Sequence, residues 1–244
     1  MSHLFGVPCP RRLHDHWSRR RSVNPRDPDE EAVSRPKCTA EVVRELVPLD
    51  SEPIQGVTYT GKLVWFARND EIVALDPETE EVVVRHAVPR ARAGTAFDGE
   101  HLYQLAQGEI LVIEPADGRV VRRLPAPGKG QDSGMAWADG HLWVGQYRDA
   151  KIHKVDAKTG EVVKTLTSDR FVTGVSCIDG ALWHGASGDG QPSELRRLAA
   201  DGTVEETLTV PVETISGVEA TESGEFWCGG ERGTLRLVRR PKRS

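Results

Sequence analysis

Gly134-Met135-Ala136-Trp137, the Asp139-Gly140 turn and His141-Leu142-Trp143 form one phrase that this chain carries five times. A glycine opens a short apolar run, a turn reverses it, and a hydrophobic–aromatic pair follows. The other copies are Gly56 with Leu63-Val64-Trp65, Gly94 with His101-Leu102-Tyr103, Gly174 with Ala181-Leu182-Trp183 and Gly217 with Glu225-Phe226-Trp227. Successive glycines lie 38, 40, 40 and 43 residues apart. A period near 40 with several short strands per unit is the signature of a β-propeller. The expected fold is all-β, a five-bladed β-propeller over residues 41–240 with one blade per copy.

Four strands are expected in each copy. The inner strand starts at the glycine and carries small residues at its third position (Thr58, Ala96, Ala136, Ser176), with Glu219 the exception. Asp98-Gly99, Asp139-Gly140 and Asp179-Gly180 supply the backbone angles of tight hairpins. The second strand holds an aromatic column, Trp65, Tyr103, Trp143, Trp183 and Trp227, suited to packing between blades. Third and outer strands alternate, as in Glu71-Ile72-Val73-Ala74-Leu75 and Glu81-Val82-Val83-Val84. Blade five has no outer strand of its own. Glu41-Val42-Val43-Arg44-Glu45-Leu46 repeats the outer-strand pattern before any blade has begun, so it is expected to pair into the last blade, close the ring and cover an open edge.

The net charge of −5 hides an asymmetry: residues 1–40 carry eight Lys/Arg against five Asp/Glu, a net +3, leaving −8 on the remainder. An acidic main domain argues against binding a phosphate backbone, so no nucleic-acid partner is expected. No stretch approaches the roughly 18 apolar residues of a membrane helix, and Pro8, Pro10 and Arg11-Arg12 break the one candidate leader. The reading is a soluble, cytoplasmic protein with no membrane partner. Residues 1–40 are polar and proline-interrupted, an arm expected to be disordered or docked on the surface. Cys9, Cys38, Cys177 and Cys228 lack metal-ligand spacing and read as free thiols. His3, Cys9, His14 and His16 sit in that arm without a scaffold, so no metal or other cofactor is expected.

Loops between blades, and between second and third strands, open on one face around the axis, where a small-molecule or peptide-like ligand would sit. The repeat places Gln55, Arg92, Asp132, Ser133, Thr173 and Ser216 there, with Arg68, Tyr147 and Glu231 on the other loops. The odd members of each column mark further candidates. After the aromatic column come Phe66, Gln104, Val144, His184 and Cys228, and Glu219 occupies a slot otherwise held by small residues. A His184–Glu219 pair between neighbouring blades would suit proton transfer near neutral pH. Each also has a structural reading: a hydrogen-bonded core imidazole for His184, a salt bridge to Arg232 or Arg236 for Glu219, a small buried hydrophobe for Cys228.

Three phrases resemble the plant- and bacterial-type glutamine cyclotransferases, five-bladed propellers that cyclise N-terminal glutamine to pyroglutamate. They are Ile54-Gln55-Gly56-Val57-Thr58-Tyr59, Leu102-Tyr103-Gln104-Leu105 and Ile215-Ser216-Gly217-Val218. The resemblance implies a central pocket for an amino-acid- or peptide-like ligand, bound through Gln55, Gln104, Ser216 and neighbours, with Arg68 or Arg92 clamping a carboxylate. It departs where it matters most. The family's glutamate in blade one is Phe66 here, the tryptophan closing its blade-two phrase is Gln107, and its asparagine in the last blade is Ser216.

The reading is therefore a glutamine-cyclotransferase-like propeller, active or degenerate, with His184 and Glu219 as catalytic candidates. Gln55, Arg68, Arg92, Gln104, Asp132, Tyr147, Ser216, Cys228 and Glu231 are its ligand-binding candidates. Asp179-Gly180-Ala181-Leu182-Trp183 is similar to the virginiamycin B lyase group, which implies a His/Glu lyase with a divalent metal as an alternative. A non-catalytic propeller whose rim binds a protein partner is the third reading.

Overall fold

The computed structural model describes residues 36–241 of the chain. The arm reading, up to residue 35, and the His3, Cys9, His14 and His16 group lie outside the described residues. Those described build five sheets, each with an antiparallel meander at its heart, and no helix, the five-bladed β-propeller expected. Blade one orders its strands Gly56–Tyr59, Val64–Arg68, Glu71–Asp76 and Glu81–Ala87 from the axis outward. Blades two, three and four repeat that meander from Thr95–Phe97, Asp132–Ala138 and Val172–Ile178. Blade five takes Val218–Ala220, Phe226–Gly229 and Leu235–Arg239 from its own copy and Glu41–Leu46 from before the first blade. That closing strand pairs antiparallel, Glu41 opposite Arg239 and Leu46 opposite Leu235.

The repeated glycine has a steric cause. A Cβ on Gly134 would stand 2.5 Å from Cα of Gly174, and one on Gly174 would stand 2.7 Å from the backbone nitrogen of Val218. On Gly217 it would meet the nitrogen of Val57 at 2.7 Å, and Gly56 and Gly94 press on the backbones of Ala93 and Met135 in the same way. Each inner strand thus rests on the backbone of the next blade, a closeness that only a residue without a side chain permits. The hairpin chemistry also holds: Asp139 and Gly140 adopt φ of 49° and 75°, both left-handed, as a two-residue type I′ turn requires.

Five apolar clusters form the core, one at each interface between neighbouring blades. Each holds one member of the aromatic column. Tyr103 packs with Met135 and Val144 of blade three, Trp65 with Leu102 and Ile113 of blade two, and Trp227 with Val57 and Phe66 of blade one. Trp183 meets Phe226 at 4.9 Å between ring centres, and Trp143 lies half-buried under the Lys154 ammonium. A buried aromatic ring removes on the order of 200 Å² from water, about 5 kcal/mol of transfer free energy at 25 cal/mol/Å². The column is what fastens sheet to sheet.

One strand falls within the segment read as an arm. Lys37–Thr39 runs parallel to Val204–Thr209 as a fifth strand on blade four, with Cys38 opposite Leu208. Ala40 then donates its amide to the Thr209 carbonyl at 2.8 Å before the chain enters blade five. Residues 37–46 therefore straddle two blades, and Lys37 Nζ reaches Glu194 Oε1 at 3.0 Å. Three residues of mixed polarity carry no repeat pattern, so periodicity had nothing to register there.

Candidate functional site

The residue ahead of each inner-strand glycine lies where the blades converge: Gln55, Ala93, Ser133, Thr173 and Ser216. A cavity of about 390 Å³ opens among four of them, completed by Pro53, Arg92, Asp132, Tyr147, Ser187, Gly188, Thr214, Ile215 and Glu231. A second cavity of about 710 Å³ shares Arg92 and Asp132 with the first and extends over blade two toward Asp70, Gln107 and Lys129. Of the ligand-binding candidates, Gln55, Arg92, Asp132, Tyr147, Ser216 and Glu231 line the central cavity.

Their bonding differs from residue to residue. Ser133 Oγ donates to the Val172 carbonyl and Ser216 Oγ to the Ile54 carbonyl, both at 2.6 Å, so each hydroxyl ties its blade to the next. Asp132 Oδ1 accepts the Gly128 amide at 2.8 Å, while Oδ2 is buried and has no hydrogen-bond partner. Burial outweighs the backbone amides of Gly128 and Gly130 and raises the Asp132 carboxyl above the usual range. Thr173 Oγ1 is buried and equally unpartnered. Among the described residues no hydrogen bond or ion pair joins the side chains of Gln55, Arg92 or Glu231 to another group. Tyr147 leans on Phe171 at 4.9 Å, and a Cβ on Gly188, whose φ is 83°, would fall on the Tyr147 hydroxyl.

The remaining candidates sit elsewhere. Gln104 is fully buried: Thr95 Oγ1 donates to its Oε1 at 2.7 Å, and its Nε2 donates to the carbonyls of Ala93 and Leu105 at 3.0 and 2.9 Å. Its amide holds the backbone at the head of blade two. Arg68 is buried against Asp50, Nη2 to Oδ1 2.7 Å. Cys228 packs in the cluster between blades four and five, where burial pushes its thiol up to about 12. Cys38, Cys177 and Cys228 are free thiols.

His184 is sealed, at 0 % exposure, and lines neither cavity. Its Nδ1 donates to the Gly185 carbonyl at 3.0 Å and Nε2 lies 3.4 Å from Ser168 Oγ; burial lowers its pKa to about 4. Strand alternation sends Trp183 toward blade five and His184 the opposite way, toward blade three. Glu219 shares a face with Gly217, which presses on blade one, so His184 and Glu219 do not meet. Cys228, packed toward blade four, joins neither. Glu219 is half-buried, and burial raises its carboxyl well above the ordinary value. Arg236, offered as its salt-bridge partner, holds Glu45 instead at 2.5 Å.

Pro53, Ser187, Gly188, Thr214 and Ile215 were not foreseen in the cavity wall. Pro53 and Thr214 stand two residues ahead of Gln55 and Ser216, one column short of where the repeat alignment begins. Ser187 and Gly188 lie in a loop whose length varies from copy to copy. Among the described residues no group of three or more His, Cys, Asp or Glu side chains is placed to hold a metal ion, and no helix is long and apolar enough to cross a membrane. What the cavity offers is one cation, two carboxyl groups, an amide and hydroxyls around a small volume. That array suits a small polar molecule carrying both an acceptor and a donor end.

Among solved structures, Myxococcus xanthus glutaminyl cyclase superposes with a TM-score of 0.71 at 18% identity, covering 84% of this chain and 97% of that one. The WD40 propeller domain of Doa1 gives 0.52 at 16% identity over 76% of this chain and 63% of that one. Virginiamycin B lyase from Staphylococcus aureus gives 0.48 at 13% identity, over 76% and 66%, too loose a likeness to argue from. At these identities the likeness speaks for the fold alone. No curated protein matches the chain. A family model described as outer membrane protein assembly factor BamB matches residues 68–225, from the second strand of blade one to the inner strand of blade five. With well over half of its length matched, the chain belongs to the propeller family that this description names.

Proposed function

We propose that the central cavity binds a small amino-acid- or peptide-like molecule. Arg92 takes its carboxylate or carbonyl oxygen, and Asp132, with Glu231 nearby, takes its ammonium group. The observation that carries this reading is the pair of buried, unpartnered oxygens, Asp132 Oδ2 and Thr173 Oγ1, in the wall of one cavity. Each costs about 1–3 kcal/mol as it stands, a cost that a ligand donor reaching it removes. The uncommitted Arg92 guanidinium supplies a planar fork for an oxygen pair.

A bound ammonium favours the ionised carboxyl. Binding therefore draws a proton off Asp132, and affinity rises as pH climbs through that carboxyl's raised pKa. Any proton transfer at a ligand in this cavity falls to Asp132, the titratable wall residue held away from its usual range. Phe66, at the cyclotransferase family's glutamate position, is core. Calorimetric titration with amino acids and short peptides tests the proposal. Binding is expected, weakened more than tenfold in Arg92→Ala and made independent of pH in Asp132→Asn. Silence across the whole panel would retire this reading in favour of a propeller that binds a protein partner at its rim.

A further inference from the structure

The second cavity carries charges that the central site does not use. Beyond Arg92, which the two cavities share, Arg90 and Lys129 line it, and among the described residues no hydrogen bond or ion pair engages either side chain. Its acids are differently placed. Glu109 is held by Arg123 at 2.7 Å, Asp70 accepts the Arg90 backbone amide at 2.6 Å, and Asp132 belongs to the central cavity as well. The floor is apolar, built from Leu105 and Ala106. In a domain that is acidic overall, Arg90 and Lys129 are thus two cations on one groove with no carboxylate engaging either side chain.

Arg90 and Lys129 hold their positions at a conformational cost. Their φ angles are 61° and 49°, in the left-handed region where a side chain is unfavourable and glycine is the usual occupant. Two long cationic side chains held there flank a groove of about 710 Å³ that joins the central cavity through Arg92 and Asp132.

We propose that this groove binds an anionic extension of the molecule seated in the central cavity: a second carboxylate or a phosphate, reached past Arg92 and held by Arg90 and Lys129. The proposal rests on the central-cavity reading and narrows its ligand to an acidic one. Arg90 engages an oxygen pair and Lys129 acts as a point charge.

Three probe peptides test it at low ionic strength: Ala-Ala-Ala, Ala-Glu-Glu and Ala-phosphoserine-Ala. At least one anionic peptide is expected to bind ten-fold or more tighter than Ala-Ala-Ala, and the tighter of the two tells carboxylate from phosphate. The advantage should vanish in Arg90→Ser/Lys129→Ser, with Ala-Ala-Ala binding unchanged, and should shrink as salt is raised. Arg90→Gly/Lys129→Gly removes the charges while relieving the backbone, so loss of preference in both double variants excludes a folding artefact. Equal binding of all three peptides to the unaltered protein overturns the proposal and leaves the central cavity standing. A preference that survives both double variants overturns it as well. If none of the peptides binds, the central reading and this one fall together.

Discussion

Blade four and the mouth of the axis each bury a carboxyl group, and the two have opposite fates. In blade four, Glu194 is 4 % exposed and surrounded by cations: Arg170 at 3.0 Å, Arg196 at 2.8 Å and Lys37 at 3.0 Å. Arg170 goes on to Asp189 at 2.6 Å and Arg196 to Asp169, so charge alternates along the whole cluster. Burial alone would raise the Glu194 carboxyl, but the bonds from Lys37 and Arg196 prevail and hold it below the ordinary value. Asp132 has only backbone amides on one oxygen, and there burial prevails. The same desolvation acts in both places; what differs is whether the chain supplies partners. Where it does, polarity is architecture. Where it leaves polar atoms facing a cavity without them, polarity is available for something that comes from outside.

The largest effect expected from this contrast comes from removing each carboxyl in turn. Glu194→Ala takes the shared carboxylate from Arg170 and Arg196, leaving each guanidinium with one acid, and should lower the unfolding free energy by about 2–3 kcal/mol in urea at pH 7. Asp132→Ala, in the same assay, should shift it by less than about 1 kcal/mol or raise it. Comparable losses in the two variants would erase the distinction.

The next effect is a pH dependence from His184, whose folded pKa of about 4 lies below the unfolded value near 6.5. The unfolded chain takes up the proton first, so stability is intact above about pH 6.5 and falls toward pH 4, by about 3 kcal/mol from this one group. Unfolding curves across that window should be flatter for His184→Gln than for the unaltered chain. Glu219 acts in the other direction. Its raised carboxyl stabilises the fold at low pH and loses that contribution as pH rises from about 4.5 through the folded value. Glu219→Gln should therefore unfold at a higher temperature than the unaltered chain at pH 8, with the difference shrinking toward pH 4. The smallest effect belongs to Thr173→Val, which removes an unpartnered buried hydroxyl and should gain about 1 kcal/mol while weakening ligand binding.

The ring was legible in the chain because its cause is local and repeated. A glycine every forty residues or so reports a backbone contact that recurs five times, and an aromatic nine or ten residues later reports the interface beside it. The closing strand was legible because Glu41–Leu46 keeps the alternation of the outer strands it joins. The site was only partly so. Position before the glycine placed Gln55, Ser133, Thr173 and Ser216 correctly on the cavity, because that address follows from the repeat itself. Chemical oddity within a column was a poorer guide. Gln104 and His184 stand out in sequence because a strand interior needs their hydrogen bonds, to Thr95, Ala93 and Leu105 in one case and to Gly185 in the other. No pattern of letters tells a polar residue with internal partners from one without; Asp132 and Gln104 differ only in three dimensions.

The strand pairing of Glu41–Leu46 with Leu235–Arg239 has a topological consequence. Since the first and last strands of the ring are hydrogen-bonded neighbours, a short linker from Arg240 to Glu41 would make the backbone of the propeller circular. New termini could then be cut in a connection between two blades, such as the one from Ala87 to Thr95, and every sheet of the permuted chain would form from consecutive strands, needing no returning strand to complete its last sheet.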